Sequence, residues 1–158
     1  MATPGNKNLH EGIPAIGDAF VVIVKTEWNA HIVYKLERGC KKVLKASNIK
    51  TKTLVVPGAF ELPYAVKAHS QTNNAADAYV VLGAVIRGDT PHFDYVCSGV
   101  TNGIMQLNVT IDAPVIFGVL TVDNEQQALE RIGGAHGHKG EEAGITAIKM
   151  IDLKRKMK

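Results

Sequence analysis

AYVVLGAVIRGDTPHFDYV, residues 78–96, decides how this chain is read. Its first nine residues, Ala78–Ile86, are apolar without alternation. A strand with no polar side has no face for solvent, so it belongs inside a sheet covered on both faces. Gly88, Asp89, Thr90, Pro91 and His92 follow in quick succession. A plain turn needs only the glycine or the proline. Thr90 is suited to cap a helix and Pro91 to its first position. The helix itself is marked by Val96, Val100, Ile104 and Leu107, at spacings of four, four and three.

The same alternation runs outward in both directions. Phe20–Lys25, Lys52–Val56 and Pro114–Thr121 read as three more apolar, β-branched strands. Between them lie helical patterns. One carries Ile32, Leu36, Cys40, Val43 and Leu44 on one stripe. A shorter one spans "AFELPYAVKAHSQT". A third, "NEQQALERIG", has Asn124 as its cap and Gly133 as its stop. The last places Ala143, Ala147, Ile148 and Ile151 inward. Strands alternating with helices mean an α/β fold: a single-domain, three-layer α/β/α sandwich on a four-stranded parallel sheet of flavodoxin-like type. Residues 1–17, polar and rich in glycine and proline, read as a flexible arm, and residues 18–158 as the domain.

Composition sets the outer bounds. The 158 residues suffice for one core. No apolar run approaches the roughly 18 residues of a membrane span, and the start lacks the basic and apolar regions of a signal peptide. The net charge of +3 sits largely in "CKKVLK" and "DLKRKMK". Both read as solvated helix faces, with no motif or basic stripe for nucleic acid. Cys40 and Cys97 fall in apolar helical patterns and read as buried free thiols of a reducing compartment, the cytoplasm.

Ligands of such sheets bind at the carboxyl ends of the strands, so four loops carry the chemistry. After the first strand, Trp28 is either a core residue or a stacking plate for a flat ring, with Asn29 placed to cap the next helix. After the second, Pro57–Gly58 makes a turn on the freedom of glycine. Ala59, Phe60 and Glu61 then open a helix. Glu61 either balances the helix dipole or accepts bonds from a polyhydroxy ligand. After the third, free amides at the helix start make a phosphate cradle. His92 stands at its rim, as a neutral proton carrier or an incidental surface residue. After the fourth, Arg131 and Lys139 bracket a glycine-rich turn and suit an anion, or are solvated charges. His136 and His138 lack a third ligand, so no metal is expected.

These four loops, in this order, resemble the lumazine synthase family over about residues 17–157. The motifs are "VPGAFE" (Val56–Glu61), "LGAVIRG" with "TPHFDYV", "PVIFGVLT", and "QALERIGG" with "GHKGEEA". The resemblance implies condensation of 5-amino-6-(D-ribitylamino)uracil with 3,4-dihydroxy-2-butanone 4-phosphate to 6,7-dimethyl-8-ribityllumazine, phosphate and water, without metal or organic cofactor. It implies Trp28 stacking on the pyrimidine, with Val85 and Ile86 touching it. Ala59, Phe60 and Glu61 would hold the ribityl chain and ring edge, with Asn29 beside them. Asp89 and Thr90 would form the phosphate cradle, Arg131 would pair with the phosphate, and His92 would move protons. Phe117, Arg131 and Lys139 would come from an adjacent subunit. Asp89 departs from a slot that is often small and neutral. Trp28 replaces the common phenylalanine.

The resemblance also implies pentamers, which in some members assemble by twelve into a hollow shell. The short "GGAHGHKG" connection lacks the insertion that accompanies isolated pentamers, which points to the sixty-subunit shell. Two other readings are a non-catalytic flavin- or lumazine-binding shell protein and a flavodoxin-like electron carrier. The first could dispense with His92 and Arg131, and both are present. The second needs a Ser/Thr/Gly-rich first loop, where this chain has "TEWNA".

Overall fold

The computed structural model describes Leu9 and residues 11–157. Four strands form one parallel sheet: β1 (Phe20–Thr26), β2 (Lys50–Val56), β3 (Ala78–Ile86) and β4 (Val115–Val122), in the order β2-β1-β3-β4. Val24 stands opposite Leu54 on one side and Val81 on the other, and Ile86 opposite Val122. All four strands therefore leave the sheet at the same end.

Side chains alternate across the sheet with period two. Val21 and Ile23 face a layer made by α1 (Ala30–Ala46) and α5 (Lys139–Lys156), where Ile32, Leu36, Leu44, Ile148 and Ile151 are buried. Val22 and Val24 face α2 (Leu62–Ser70) and α3 (His92–Thr110), against Leu62, Val66, Val100, Ile104 and Leu107. The three layers are those read from the pattern, and Val21 to Val24 are 0% exposed, which only a central, doubly covered strand allows. The α1–α5 crossing is close. A Cβ on Gly140 would lie 2.1 Å from the Leu36 carbonyl oxygen, so only glycine fits there.

One buried charge fastens α1 to the sheet. Glu37, 6% exposed, accepts from Thr53 Oγ1 at 3.0 Å and pairs with Lys25 and Lys41. Burial alone would raise its carboxyl, but bonds from Lys25, Lys41 and Thr53 outweigh that and hold it below the usual range.

Several boundaries differ from the sequence reading. β2 starts at Lys50, two residues early, because its first half is a polar edge that apolar counting misses. The expected helix from Ala59 splits into a 3-10 turn, Ala59–Glu61, and α2, which ends at Ser70. α4 (Glu125–Leu129) is capped by Asn124, whose side chain accepts from the Gln127 amide, but it stops short of Gly133. The chain instead forms a small hairpin of β5 (Ile132–Gly134) and β6 (Gly137–His138), with Gly133 at φ 117°. Cys40 is buried, and burial pushes its thiol up to about 12, whereas Cys97 is half-buried rather than buried. The arm read over residues 1–17 falls, at residues 1–8 and 10, outside the described residues. Ile16 is buried in the core cluster, and Arg155 donates to the carbonyls of Ile16 and Asp18.

In two histidines the fold disfavours the protonated ring. Burial pushes His138 below the ordinary imidazole range, with Glu141 opposing, and its Nδ1 accepts from the Glu141 amide at the start of α5. Burial lowers His69 too, with Lys52 adding to it, and its Nδ1 lies 3.1 Å from the Tyr79 hydroxyl. The unfolded chain protonates these rings at about 6.5. Below that pH the unfolded state binds more protons, so their contribution is complete above about 6.5 and falls as pH drops toward the folded values. Thermal unfolding is therefore expected at a lower Tm at pH 5.5 than at pH 7.5, with a smaller drop in His138→Gln. An equal drop in the variant would refute the assignment to His138.

Candidate active site

Three strand exits meet at one end of the sheet and enclose a cavity of about 640 Å³. At the β1 exit, Glu27 donates its amide to the Val56 carbonyl at 2.9 Å and Trp28 to that of Pro57 at 3.2 Å, which ties this loop to the β2 exit. Thr26 is buried and donates its hydroxyl to the Trp28 carbonyl. Trp28 itself is 66% exposed and lines the cavity, so it is no core residue. Asn29 holds a left-handed backbone, φ 57° and ψ 41°, a conformation that Asn tolerates better than most. Its side chain makes no cap bond to α1. It crosses to β3 and donates to the Ala84 carbonyl at 2.8 Å. The expected side-chain cap is corrected to a strut between two strand exits.

At the β2 exit, the reason for glycine also changes. Gly58 has φ −138° and ψ −179°, extended backbone open to any residue. What it supplies is room. A Cβ there would stand 2.9 Å from the Trp28 ring and 3.1 Å from Glu61 Oε2. Glu61 turns back so that Oε2 accepts the Gly58 amide at 3.0 Å. Ala59, Phe60 and Glu61 all line the cavity, and the Phe60 ring lies against Gly99 of α3.

At the β3 exit, Val85, Ile86, Gly88, Thr90 and His92 complete the wall. His92 is exposed and opens α3. Pro91 sits just before it in helical geometry, and no side chain caps this end, so the cap expected of Thr90 is not made. The Asp94 and Tyr95 amides bond back to the Pro91 carbonyl, so in the first turn the His92 and Phe93 amides are the ones without a helical partner. Asp89 is exposed and does not line the cavity.

The remaining sites of the sequence reading are elsewhere. Arg131 donates Nη1 to the Gln127 carbonyl at 2.7 Å and lines none of the wall. Phe117, 42% exposed on β4, and Lys139, paired with both oxygens of Glu142, line a second cavity of about 400 Å³ at the open β4 edge. The structure brings Trp28, Asn29, Ala59, Phe60, Glu61, Val85, Ile86, Thr90 and His92 together, and leaves Phe117, Arg131 and Lys139 apart. Thr26, Phe93, Tyr95 and Val96 also line the first cavity and were not singled out. The two aromatics flank Asp94 in the first turn of α3, where two large exposed-side aromatics one turn from a cradle were the available signal.

Among the described residues, no three of His, Cys, Asp and Glu are grouped to hold a metal ion, and no helix is long and apolar enough to cross a membrane.

Residues 18–155 match the protein family described as 6,7-dimethyl-8-ribityllumazine synthase. The Parabacteroides distasonis protein of that name is 48% identical over 160 residues, covering 97% of this chain and 99% of the relative. That of Bacteroides fragilis is 50% identical over 134 residues, covering 83% and 93%. That of Porphyromonas gingivalis is 46% identical over 149 residues, covering 92% of each.

Trp28 is the only tryptophan and so reports the fit at Gly58. Gly58→Ala is expected to displace the ring, shift its emission maximum and cost about 1–3 kcal/mol of stability. An unchanged emission spectrum would overturn the close fit.

Proposed function

Since this chain belongs to the 6,7-dimethyl-8-ribityllumazine synthase family, we propose that the cavity at its strand ends is where the family's reaction takes place. The enzyme condenses 5-amino-6-(D-ribitylamino)uracil with 3,4-dihydroxy-2-butanone 4-phosphate and releases 6,7-dimethyl-8-ribityllumazine, phosphate and water. The observation that carries the site reading is that Trp28, Glu61, Thr90 and His92, from three separate loops, line one cavity.

In this reading the Trp28 ring stacks on the pyrimidine, whose edge meets Val85 and Ile86. Glu61 keeps one carboxylate oxygen on Gly58 and turns the other to the ribityl hydroxyls, beside Ala59, Phe60 and Asn29. The amides of Gly88, Asp89 and Thr90, with the Thr90 hydroxyl beside them, receive the phosphate just ahead of Pro91, which has no N–H to give, at the start of α3. Imine formation, phosphate elimination and ring closure each move a proton, and His92 stands beside the departing group to carry it. General acid–base assistance contributes roughly 10²–10⁴-fold. Holding two reactants side by side can contribute more, roughly 7–11 kcal/mol in favourable cases. His92→Ala is therefore expected to lower kcat by about 10²–10⁴-fold without abolishing turnover, followed by lumazine absorbance and phosphate release. A folded, ligand-binding variant with no turnover at all would overturn that ranking.

No lysine or arginine lines the cavity, and of the residues that could complete it Phe117 and Lys139 lie at the β4 edge, while Arg131 follows α4. In our reading a neighbouring copy supplies Phe117, Arg131 and Lys139, within pentamers assembled into a shell. The unpaired edge of β4 and the exposed Phe117 support association there. Free Cys40 and Cys97 suit the reducing cytoplasm. Mixing His92→Ala with Arg131→Ala subunits tests the shared site: about a quarter of the seams would pair two intact halves, so activity should exceed that of either variant. No gain on mixing would refute a shared site, and light scattering showing a pentamer-sized particle would refute the shell.

A further inference from the structure

Residues 87–94 contain one cation, Arg87, and two carboxylates, Asp89 and Asp94, and Asp123 adds a third acid at the end of β4. Those acids surround the helix start read above as an anion cradle. Left unpaired, they would repel a phosphate dianion. Arg87 lies between two of them. Its Nε donates to Asp123 Oδ1 at 2.9 Å and its Nη1 to Asp94 Oδ1 at 3.3 Å. Its guanidinium carbon stands 4.1 Å from the centroid of the Phe93 ring, which lines the cavity. The Arg87 amide donates to the Val122 carbonyl at 2.9 Å, so the residue is fixed at the mouth by the β3–β4 register.

Stability does not account for this arrangement. The Arg87, Asp94 and Asp123 side chains are 43%, 63% and 64% exposed, and ion pairs that open contribute little to folding. Function does account for it. Arginine keeps its charge at any working pH, and its planar fork can serve two carboxylates while one face rests on an aromatic ring. A lysine would supply the charge without the fork.

We propose that Arg87 is a positioning residue for the phosphorylated substrate: by pairing with Asp94 and Asp123, offsetting one of their two charges, and fixing Phe93 at the cavity wall, it lets the start of α3 accept an anion. The proposal rests on the reading of residues 88–90 as the phosphate cradle. It touches neither the pyrimidine side of the cavity nor His92, so its signature is confined to phosphate.

The test measures KM for each substrate, kcat, and inhibition by inorganic phosphate, at low and high ionic strength. The proteins are wild type, Arg87→Met, the triple variant Arg87→Met/Asp94→Asn/Asp123→Asn, and the double variant Asp94→Asn/Asp123→Asn. Arg87→Met is expected to weaken phosphate inhibition and raise KM for the phosphorylated substrate about fivefold at low salt. The effect should shrink above about 0.15 M, where screening sets in over about 8 Å. KM for the ribitylaminouracil should stay unchanged. The triple variant should recover phosphate affinity, and the double variant, which keeps Arg87, should bind phosphate more tightly than wild type. The proposal is overturned if Arg87→Met leaves both phosphate values unchanged, or if the triple variant stays as weak as the single one, which would make the arginine a structural clamp only. It is overturned equally by a double variant that does not tighten phosphate, a result that stands even if Arg87→Met does not fold. If inorganic phosphate does not compete with the phosphorylated substrate in the wild-type enzyme, the cradle reading itself falls, whatever Arg87 does.

Discussion

Val21 to Val24 touch no solvent, and a strand so placed must bond to neighbours on both sides and be covered on both faces. Everything else in the molecule follows from meeting that demand. β2 and β3 flank β1 in parallel, and helices cover both faces because each crossover must return over the sheet. Parallel strands all exit at one end, so the loops after β1, β2 and β3 meet whether or not their residues have any affinity for one another. The cavity is a product of topology first and of side-chain chemistry second.

Within that cavity, space is as decisive as polarity. Trp28 can lie over the β2 exit because Gly58 has no Cβ, and Glu61 can fold back onto the same amide for the same reason. Asn29 accepts a left-handed backbone, and its carboxamide reaches the Ala84 carbonyl, which holds the first loop against the third strand. Residues in sparsely populated conformations persist only where their surroundings over-determine them. Here two inter-loop amide bonds, from Glu27 and Trp28 to the β2 exit, do so. The exposed Trp28 ring at the cavity wall is thus carried on a loop fixed by backbone bonds to its neighbour.

Charge is distributed differently. Buried charge serves the fold: Glu37 ties α1 to β1 and β2 from a position nearly closed to water. The charge at the mouth is exposed, and its effect is on what can approach. Asp89, Asp94 and Asp123 make that end of the sheet acidic, and Arg87 pairs with two of the three, Asp94 and Asp123. Arg131 and Lys139 engage Gln127 and Glu142 within their own chain and line no part of the first cavity. A single copy therefore gathers the Trp28 ring, the amides before Pro91 and the His92 imidazole at one cavity, with Arg131 and Lys139 outside its wall.

The sequence by itself determined the order of strands and helices, the parallel sheet and the identity of the mouth loops. Two-faced burial, helical spacing and helix-start chemistry are local patterns, readable from neighbours along the chain. It also carried the family, because four motifs stand in order at four strand ends. Only the tertiary structure decided why Gly58 is glycine, where the Asn29 side chain goes, that Thr90 caps nothing, and that Phe93 and Tyr95 join the wall. It alone separated Phe117, Arg131 and Lys139 from the cavity and set Arg87 between Asp94 and Asp123. Each of these depends on contacts between residues far apart in sequence, made when packing brings the strand ends within a few ångströms, and no one-dimensional period records such a distance.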